Sequence, residues 1–312
     1  MSTITTISLV VPCYNEEEAL PSFYEAACRV LGVMGLETSA EFVFVDDGSS
    51  DGTLDVIKSL AEKDGRIHFV SFSRNFGKEA ALYAGLEKAC GVYTAVLDAD
   101  LQDPPSLLPE MLFAIKSEGF DCCATRRVTR KNEPPVRSFF ARLFYKIMGL
   151  MSDVPVVDGA RDFRLMTKPY KDAVLSLCER NRFTKGIFPW VGFKTKWFAY
   201  ENVERVAGTT KWSFWKLFLY SIDGIIGFST KPLAFAALAG ILGIALAFCF
   251  IVFIIVRKLL FGDPVQGWAS LVCIIIFASG IQLFATGISG LYLSKIYTEV
   301  KQRPLFIVRE EH

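Results

Sequence analysis

Residues 92–105 read VYTAVLDADLQDPP. An apolar, β-branched run breaks into three carboxylates, Asp98, Asp100 and Asp103, within six residues. Asp is a poor strand former, so the run reads as a buried strand that ends at a polar rim. The same grammar recurs upstream and downstream. Short apolar runs stand at ISLVVP (7–12), EFVFV (41–45), RIHFVSF (66–72) and DCCAT (121–125). Helical stretches such as EEEALPSFYEAACRVLGVM and GKEAALYAGLEKAC lie between them. Strand–helix alternation of this kind predicts an α/β domain with a mainly parallel sheet covered on both faces. In such sheets ligands bind beyond the carboxyl ends of the strands. CYNE, DDGSSDGT, SRNFGKE and DADLQD each follow one of these strands, and together they describe a single rim.

Composition narrows the chemistry. The 312 residues carry a formal net charge of +1, without the basic footprint of a nucleic-acid partner. Only two histidines occur, His68 and the terminal His312, so a histidine base or a His-rich metal site is not expected. The work falls to carboxylates, Arg and Lys. Eight cysteines without a CxxC pair fit a reduced, cytosol-facing domain. The opening MSTITTISLVVPCYNEEE lacks the basic start of a signal peptide. Mean hydropathy is +0.34, and the apolar excess gathers after residue 230.

There, residues 232–256 (PLAFAALAGILGIALAFCFIVFIIV) and 268–293 (WASLVCIIIFASGIQLFATGISGLYL) contain no charged side chain. About 25 residues at ~1.5 Å each cross a hydrocarbon core of ~30 Å, and soluble helices of that length normally keep a polar face. The segments predict a transmembrane hairpin with a short connector. Lys211, Lys216 and Lys231 precede it and Lys295, Lys301, Arg303 and Arg309 follow it, against Arg257 and Lys258 on the connector side. The bias puts the large domain (1–209) and the tail (294–312) in the cytoplasm. Between domain and hairpin, the aromatic TKWSFWKLFLYSIDGIIGF (210–228) suits an interfacial helix, with a core-packing helix as the alternative; the interfacial segment is drawn as 210–231.

The DAD triplet admits two readings. Paired carboxylates at a strand end can hold a divalent cation, which Mg²⁺ sites complete with substrate phosphates. Alternatively an Asp caps the helix that starts near Pro104-Pro105, a role that suits Asp103 best. Lys78 stands at a predicted helix start, where anions are favoured, with a solvated surface lysine as the alternative. Arg126, Lys211 and Arg182 are candidates for an acceptor phosphate, with solvent or membrane-surface charge as the alternative.

VVPCYNEE, DDGSSDGT, SRNFGKEAAL, DADLQDPP, DFRLM and ERNRFTKG occur in the order seen in family 2 glycosyltransferases. The chain resembles in particular the bacterial polyprenyl-phosphate (bactoprenol) glycosyltransferases and the related dolichol-phosphate mannose synthases. The resemblance runs through the hairpin and the tail. It implies a GT-A nucleotide-sugar-binding fold, and it places Pro12, Tyr14 and Glu16 near base and ribose and Asp47, with Asp46, against the base. It makes Asp98 and Asp100 the ligands of Mg²⁺ or Mn²⁺, with Gln102 nearby and Lys78 on the donor side. Asp162 matches the acidic residue at the reaction centre, and Asp162 and Asp100 are the expected catalytic residues. The implied reaction is inverting transfer from a nucleotide-diphosphate sugar, such as UDP-glucose, to undecaprenyl or another polyprenyl phosphate at the inner membrane. A two-helix anchor is also compatible with a homo-oligomer. Asp158 and Arg161 depart from the pattern and leave the charge around Asp162 open. A processive polysaccharide synthase would carry QxxRW and more helices. A transporter subunit for lipid-linked sugars would leave the rim acids without a role, and a dinucleotide oxidoreductase would show GxGxxG after the first strand.

Overall fold

The computed structural model describes residues 5–128, 149, 157, 159–200, 222–261 and 267–312. Its centre is one eight-stranded sheet in the order β7-β5-β6-β4-β1-β2-β3-β8. β1 (Ile7–Cys13), β2 (Ala40–Asp46), β3 (Ile67–Phe72) and β4 (Tyr93–Val96) pair in parallel, as the apolar runs predict. β5 (Cys122–Arg127) runs the same way, but not beside β4. β6 (Ala160–Thr167) enters between them, antiparallel to both, and β7 (Thr195–Tyr200) closes that edge parallel to β5.

Successive strand side chains point to opposite faces. Leu9, Val11, Phe42 and Phe44 therefore pack with α1 (Leu20–Val33), α2 (Thr53–Lys63) and α4 (Leu108–Glu118) on one side. Val10, Val43, Val45 and Val70 pack on the other with α3 (Lys78–Lys88), α5 (Lys168–Ser176) and α6 (Thr184–Trp190). Two sealed faces leave the strand ends as the place for polar chemistry.

Beyond the sheet, α7 (Lys231–Phe261) and α8 (Trp268–Lys301) are long and apolar enough to cross a membrane. Their apolar side chains, Phe235, Ile241, Phe253, Phe277 and Leu283 among them, face outward, an apolar surface of the extent that marks a membrane or partner contact. The helices touch where Gly243 leaves room for Ile281, whose Cδ1 lies 3.6 Å from an ideal Cβ.

Residues 294–312 do not form a free tail. The helix continues to Lys301, Gln302 turns the chain with φ 47°, and β8 (Val308–Glu311) joins the sheet antiparallel to β3. Phe306 stacks on Phe72 at 4.8 Å. Near its sheet end, α8 is also anchored sideways. Lys295 Nζ reaches Asp223 at 2.6 Å and Asn181 Oδ1 at 2.9 Å, while the backbone N–H of Arg180 donates to Glu299 at 2.7 Å. Both ends of the hairpin thus sit against the α/β domain. Of the predicted interfacial segment, residues 210–221 lie outside the described residues, and the helical stretch 222–227 ends at Phe228, which packs on Phe183.

Candidate active site

The loops after the parallel strands are bound to one another before they can bind anything else. Buried Asp46 accepts hydrogen bonds from the Ser49 N–H and the Ser71 hydroxyl. Asp47 accepts the N–H groups of Phe76, at 2.6 Å, and Gly77, at 2.9 Å. Burial pushes the Asp47 carboxyl up to about 6, although those two N–H groups favour its charge. Gly48 has φ +64°, and a Cβ there would stand 2.4 Å from the carbonyl carbon of Arg74, so only glycine lets the second and third loops close up. Asn15 bridges the first and second loops through Ser49 and Ser50. The result of this lacing is the placement of Lys78 at the start of α3, on the rim.

Two distant acids meet there because of strand register. β4 and β6 pair antiparallel, with Val96 opposite Arg164. Continuing that register by two residues sets Asp98 opposite Asp162. Lys78 Nζ lies 2.7 Å from Asp98 and 2.6 Å from Asp162, so one ammonium bridges both carboxylates. Partial desolvation at the rim opposes the Lys78 charge, yet Asp162 and Asp98 hold its pKa above the usual lysine range. Burial likewise works against the Asp162 charge, but Lys78, Lys185 and Arg164 outweigh it and keep the carboxyl well below the usual carboxylate range. Asp162 Oδ1 is buried and has no hydrogen-bond partner among the described residues.

The rest of the DADLQD turn is ordered differently. Asp100 accepts the Gln102 N–H at 3.1 Å, and Leu101 takes φ 55° to make that turn. Asp103 caps no helix, contrary to the reading that suited it best. Its Oδ1 accepts the Arg161 Nε–H at 3.1 Å and the Tyr200 hydroxyl, because Arg161 and Asp162 alternate to opposite faces of β6. Arg161 also donates to Gln102 Oε1 at 3.3 Å, so its charge is spent away from Asp162. Among the described residues no group of three or more His, Cys, Asp or Glu could hold a metal ion by itself. Two hard carboxylates, Asp98 and Asp100, fit a Mg²⁺ or Mn²⁺ that finds its remaining oxygens on a diphosphate.

Around Asp162, α6 supplies a further layer. Glu79, next to Lys78, accepts both the N–H and the hydroxyl of Thr184. Burial, with the Asp162 charge adding to it, pushes the Glu79 carboxyl up to about 7. Arg164 is buried, donates to the carbonyl oxygens of Asp162 and Arg161, and lies 3.3 Å over the Phe188 ring. It supports the strand. Arg182 turns inward, donating to the carbonyl oxygens of Leu177 and Val174 and lying over Tyr83, and is not presented to an incoming phosphate.

Of the other expected residues, Pro12 is buried within β1, while Tyr14 and Glu16 line the loop beyond it, where the Glu16 N–H donates to Thr53. Asp47 is committed to the loop that carries Lys78. Arg126 is exposed at the end of β5, in register with Ala160 at the start of β6. Lys211 and Asp158 lie outside the described residues. The structure therefore brings Lys78, Asp98 and Asp162 together on the rim, with Asp100 and Gln102 in the turn that follows Asp98. Glu79 and Lys185 were overlooked by pattern reading. Both stand inside motifs singled out above, one residue from Lys78 and three from Arg182, and only the packing of α6 against α3 and β6 gives them their place.

Residues 8–173 match the sequence profile described as Glycosyl transferase family 2. The SfII prophage-derived bactoprenol glucosyl transferase of Shigella flexneri is 39% identical over 306 residues, 98% of each chain. The prophage bactoprenol glucosyl transferase homolog of Escherichia coli (strain K12) is 38% identical over 303 residues, 97% of this chain and 98% of that one. Among solved structures, the mannosyltransferase PcManGT from Pyrobaculum calidifontis, in complex with GDP-Man and Mn²⁺, aligns over 94% of this chain and 88% of that chain, with 16% identity and a TM-score of 0.43.

Proposed function

This chain belongs to glycosyl transferase family 2, and we propose that it transfers a hexosyl group from a UDP-sugar such as UDP-glucose to the phosphate of a polyprenyl lipid. The carrying observation is the bridge from Lys78 to Asp98 and Asp162, which brings the acid after β4 and an acid of β6 together on one cation. The similarity to bactoprenol glucosyl transferases over nearly the whole chain supports the acceptor.

In this reading Asp98 and Asp100 would hold Mg²⁺ or Mn²⁺, which would supply Lewis-acid charge for the departing nucleotide. Lys78 sits within reach of the same diphosphate and adds a second positive charge as the leaving group gains its electron pair. Tyr14 and Glu16 face the nucleoside from the first loop. Asp47 acts one step back, by fixing the turn that delivers Lys78. An oxygen of the acceptor phosphate attacks the anomeric carbon, the bond from that carbon to the diphosphate breaks, and the configuration inverts. Because a phosphate is anionic near neutral pH, no histidine base is required. Asp162 stabilises positive charge growing at the anomeric carbon, and Arg126 and Lys211 attract the acceptor phosphate. Arg182, clamped on carbonyls, is left out of that set.

The membrane segments follow from the acceptor. Extracting a polyprenyl chain costs ~0.8 kcal/mol per buried CH₂, so the enzyme must work at the surface. Both ends of the hairpin adjoin the α/β domain, and Lys231, Lys295, Lys301, Arg303 and Arg309 cluster at those ends. Positive charge on that side supports a cytoplasmic catalytic face at the inner membrane. Incubating membranes that contain the chain with a panel of labelled UDP- and GDP-sugars tests the proposal. Label extracted into organic solvent as a lipid-phosphate sugar supports it; label that stays water-soluble with every donor refutes it.

A further inference from the structure

The proposed reaction brings an anionic phosphate up to a site that already holds two carboxylates and a diphosphate. Such an approach needs a cation that is not engaged elsewhere. Lys78 is engaged by Asp98 and Asp162 and, in the proposed reaction, by the donor diphosphate. Arg164 is spent on two carbonyl oxygens and the Phe188 ring, and Arg161 on Asp103 and Gln102. Lys185, which also acts electrostatically on Asp162, makes no hydrogen bond or ion pair among the described residues. Its side chain is half-buried.

The mounting of Lys185 is equally specific. The preceding residue, Thr184, is bonded through both N–H and hydroxyl to Glu79, which follows Lys78. The following residues, Gly186, Ile187 and Phe188, are buried, and Gly186 is so close to Phe228 that a Cβ would stand 2.5 Å from its ring. The loop before α6 is tied to α8 through Arg180, Asn181, Glu299 and Lys295. Lys185 thus follows directly on a segment, residues 180–184, that is tied both to the helix that bears Lys78 and to the long apolar helix α8.

From this placement we infer that Lys185 joins Arg126 and Lys211 in binding the phosphate of the lipid acceptor, so that Asp162 is served by a donor-side lysine, Lys78, and an acceptor-side lysine. The assignment rests on the polyprenyl-phosphate reading above and adds to it a residue and a division of labour. It is tested with the full chain in lipid nanodiscs, varying undecaprenyl phosphate at saturating UDP-glucose and then the reverse. Lys185→Gln raises the KM for undecaprenyl phosphate by about 10- to 100-fold, the loss of one charge-assisted contact, and leaves the KM for UDP-glucose unchanged. Lys185→Arg restores most of the acceptor affinity. Binding of UDP, measured by calorimetry without lipid, stays at the level of the unaltered protein, which a merely misfolded variant would not achieve. An acceptor KM within twofold of the unaltered protein overturns the assignment, as does an equal rise in donor KM. If the unaltered protein binds UDP-glucose but does not glycosylate undecaprenyl phosphate, the parent reading fails and takes this assignment with it.

Discussion

Replacing Lys78 by Met keeps the length of the side chain and removes the ammonium that stands 2.7 Å from Asp98 and 2.6 Å from Asp162. Two effects of opposite sign follow. In turnover, the leaving diphosphate loses a charge-assisted contact of about 1.5–3 kcal/mol, so kcat/KM for the donor falls roughly 10- to 100-fold. In the absence of donor, Asp98 loses a cation that competes for its oxygens, and the free protein binds Mn²⁺ more tightly. Fully buried pairs cost about 3–5 kcal/mol when broken, and exposed pairs about 0–1. The Lys78 side chain is 41% exposed against 20% for Asp98, so an intermediate value of roughly 1–2 kcal/mol applies, a gain in Mn²⁺ affinity of about five- to thirtyfold. Paramagnetic titration of Mn²⁺ reads the second effect, and lipid-extractable label the first. A variant with unchanged transfer, or one that binds Mn²⁺ more weakly than the unaltered protein, refutes the reasoning that Lys78 shares Asp98 with the metal and the donor.

Glu79 gives a pH signature. Its folded pKa of about 7 lies above the ordinary 4.5, so its contribution to stability is complete below pH 4.5 and is lost as pH rises through 7. Glu79→Gln flattens the fall in melting temperature between pH 5 and 8; a variant with the same slope as the unaltered protein excludes Glu79 as its source. Gly48→Ala places a Cβ against the Arg74 backbone at positive φ, and is expected to cost more than about 1 kcal/mol and to lower donor affinity by displacing the loop that carries Lys78, as nucleotide binding and thermal melting would record. Phe306→Ala removes the ring stacked on Phe72 and loosens β8, costing roughly 1–2 kcal/mol of melting stability, whereas an unchanged melting curve would mean that the last strand adds nothing to the sheet.

The first five strands were legible because each is a short buried run, rich in Val, Ile, Phe or Ala in the first four and made of Cys, Ala and Thr in the fifth, followed at once by polar residues. β6 was not. Arg161, Asp162 and Arg164 interrupt its apolar residues, and each charge is tolerated only because of a partner elsewhere: Asp103, Lys78, or the carbonyl oxygens and Phe188 ring around Arg164. β8 was hidden behind a long apolar helix, since no local pattern tells VREE that it will pair with β3. The acids of the rim could be found by their place after β4, but their union with Asp162 depends on the register of β4 against β6, a contact across more than 60 residues. For the same reason Arg161 looked like a disturbance next to Asp162, and only the alternation of strand side chains sends it to Asp103. Arg182 and Lys185 were indistinguishable as basic residues of one motif. Packing separates them, turning the first into a carbonyl clamp and leaving the second open.

The most direct test is a single transfer assay with the purified full chain, UDP-[¹⁴C]glucose, undecaprenyl phosphate and Mg²⁺. Label moving into the organic phase, and disappearing with EDTA or in the Asp98→Asn protein, is the predicted result. Transfer that persists undiminished in both conditions would contradict the claim that the acids at the end of β4 handle the diphosphate.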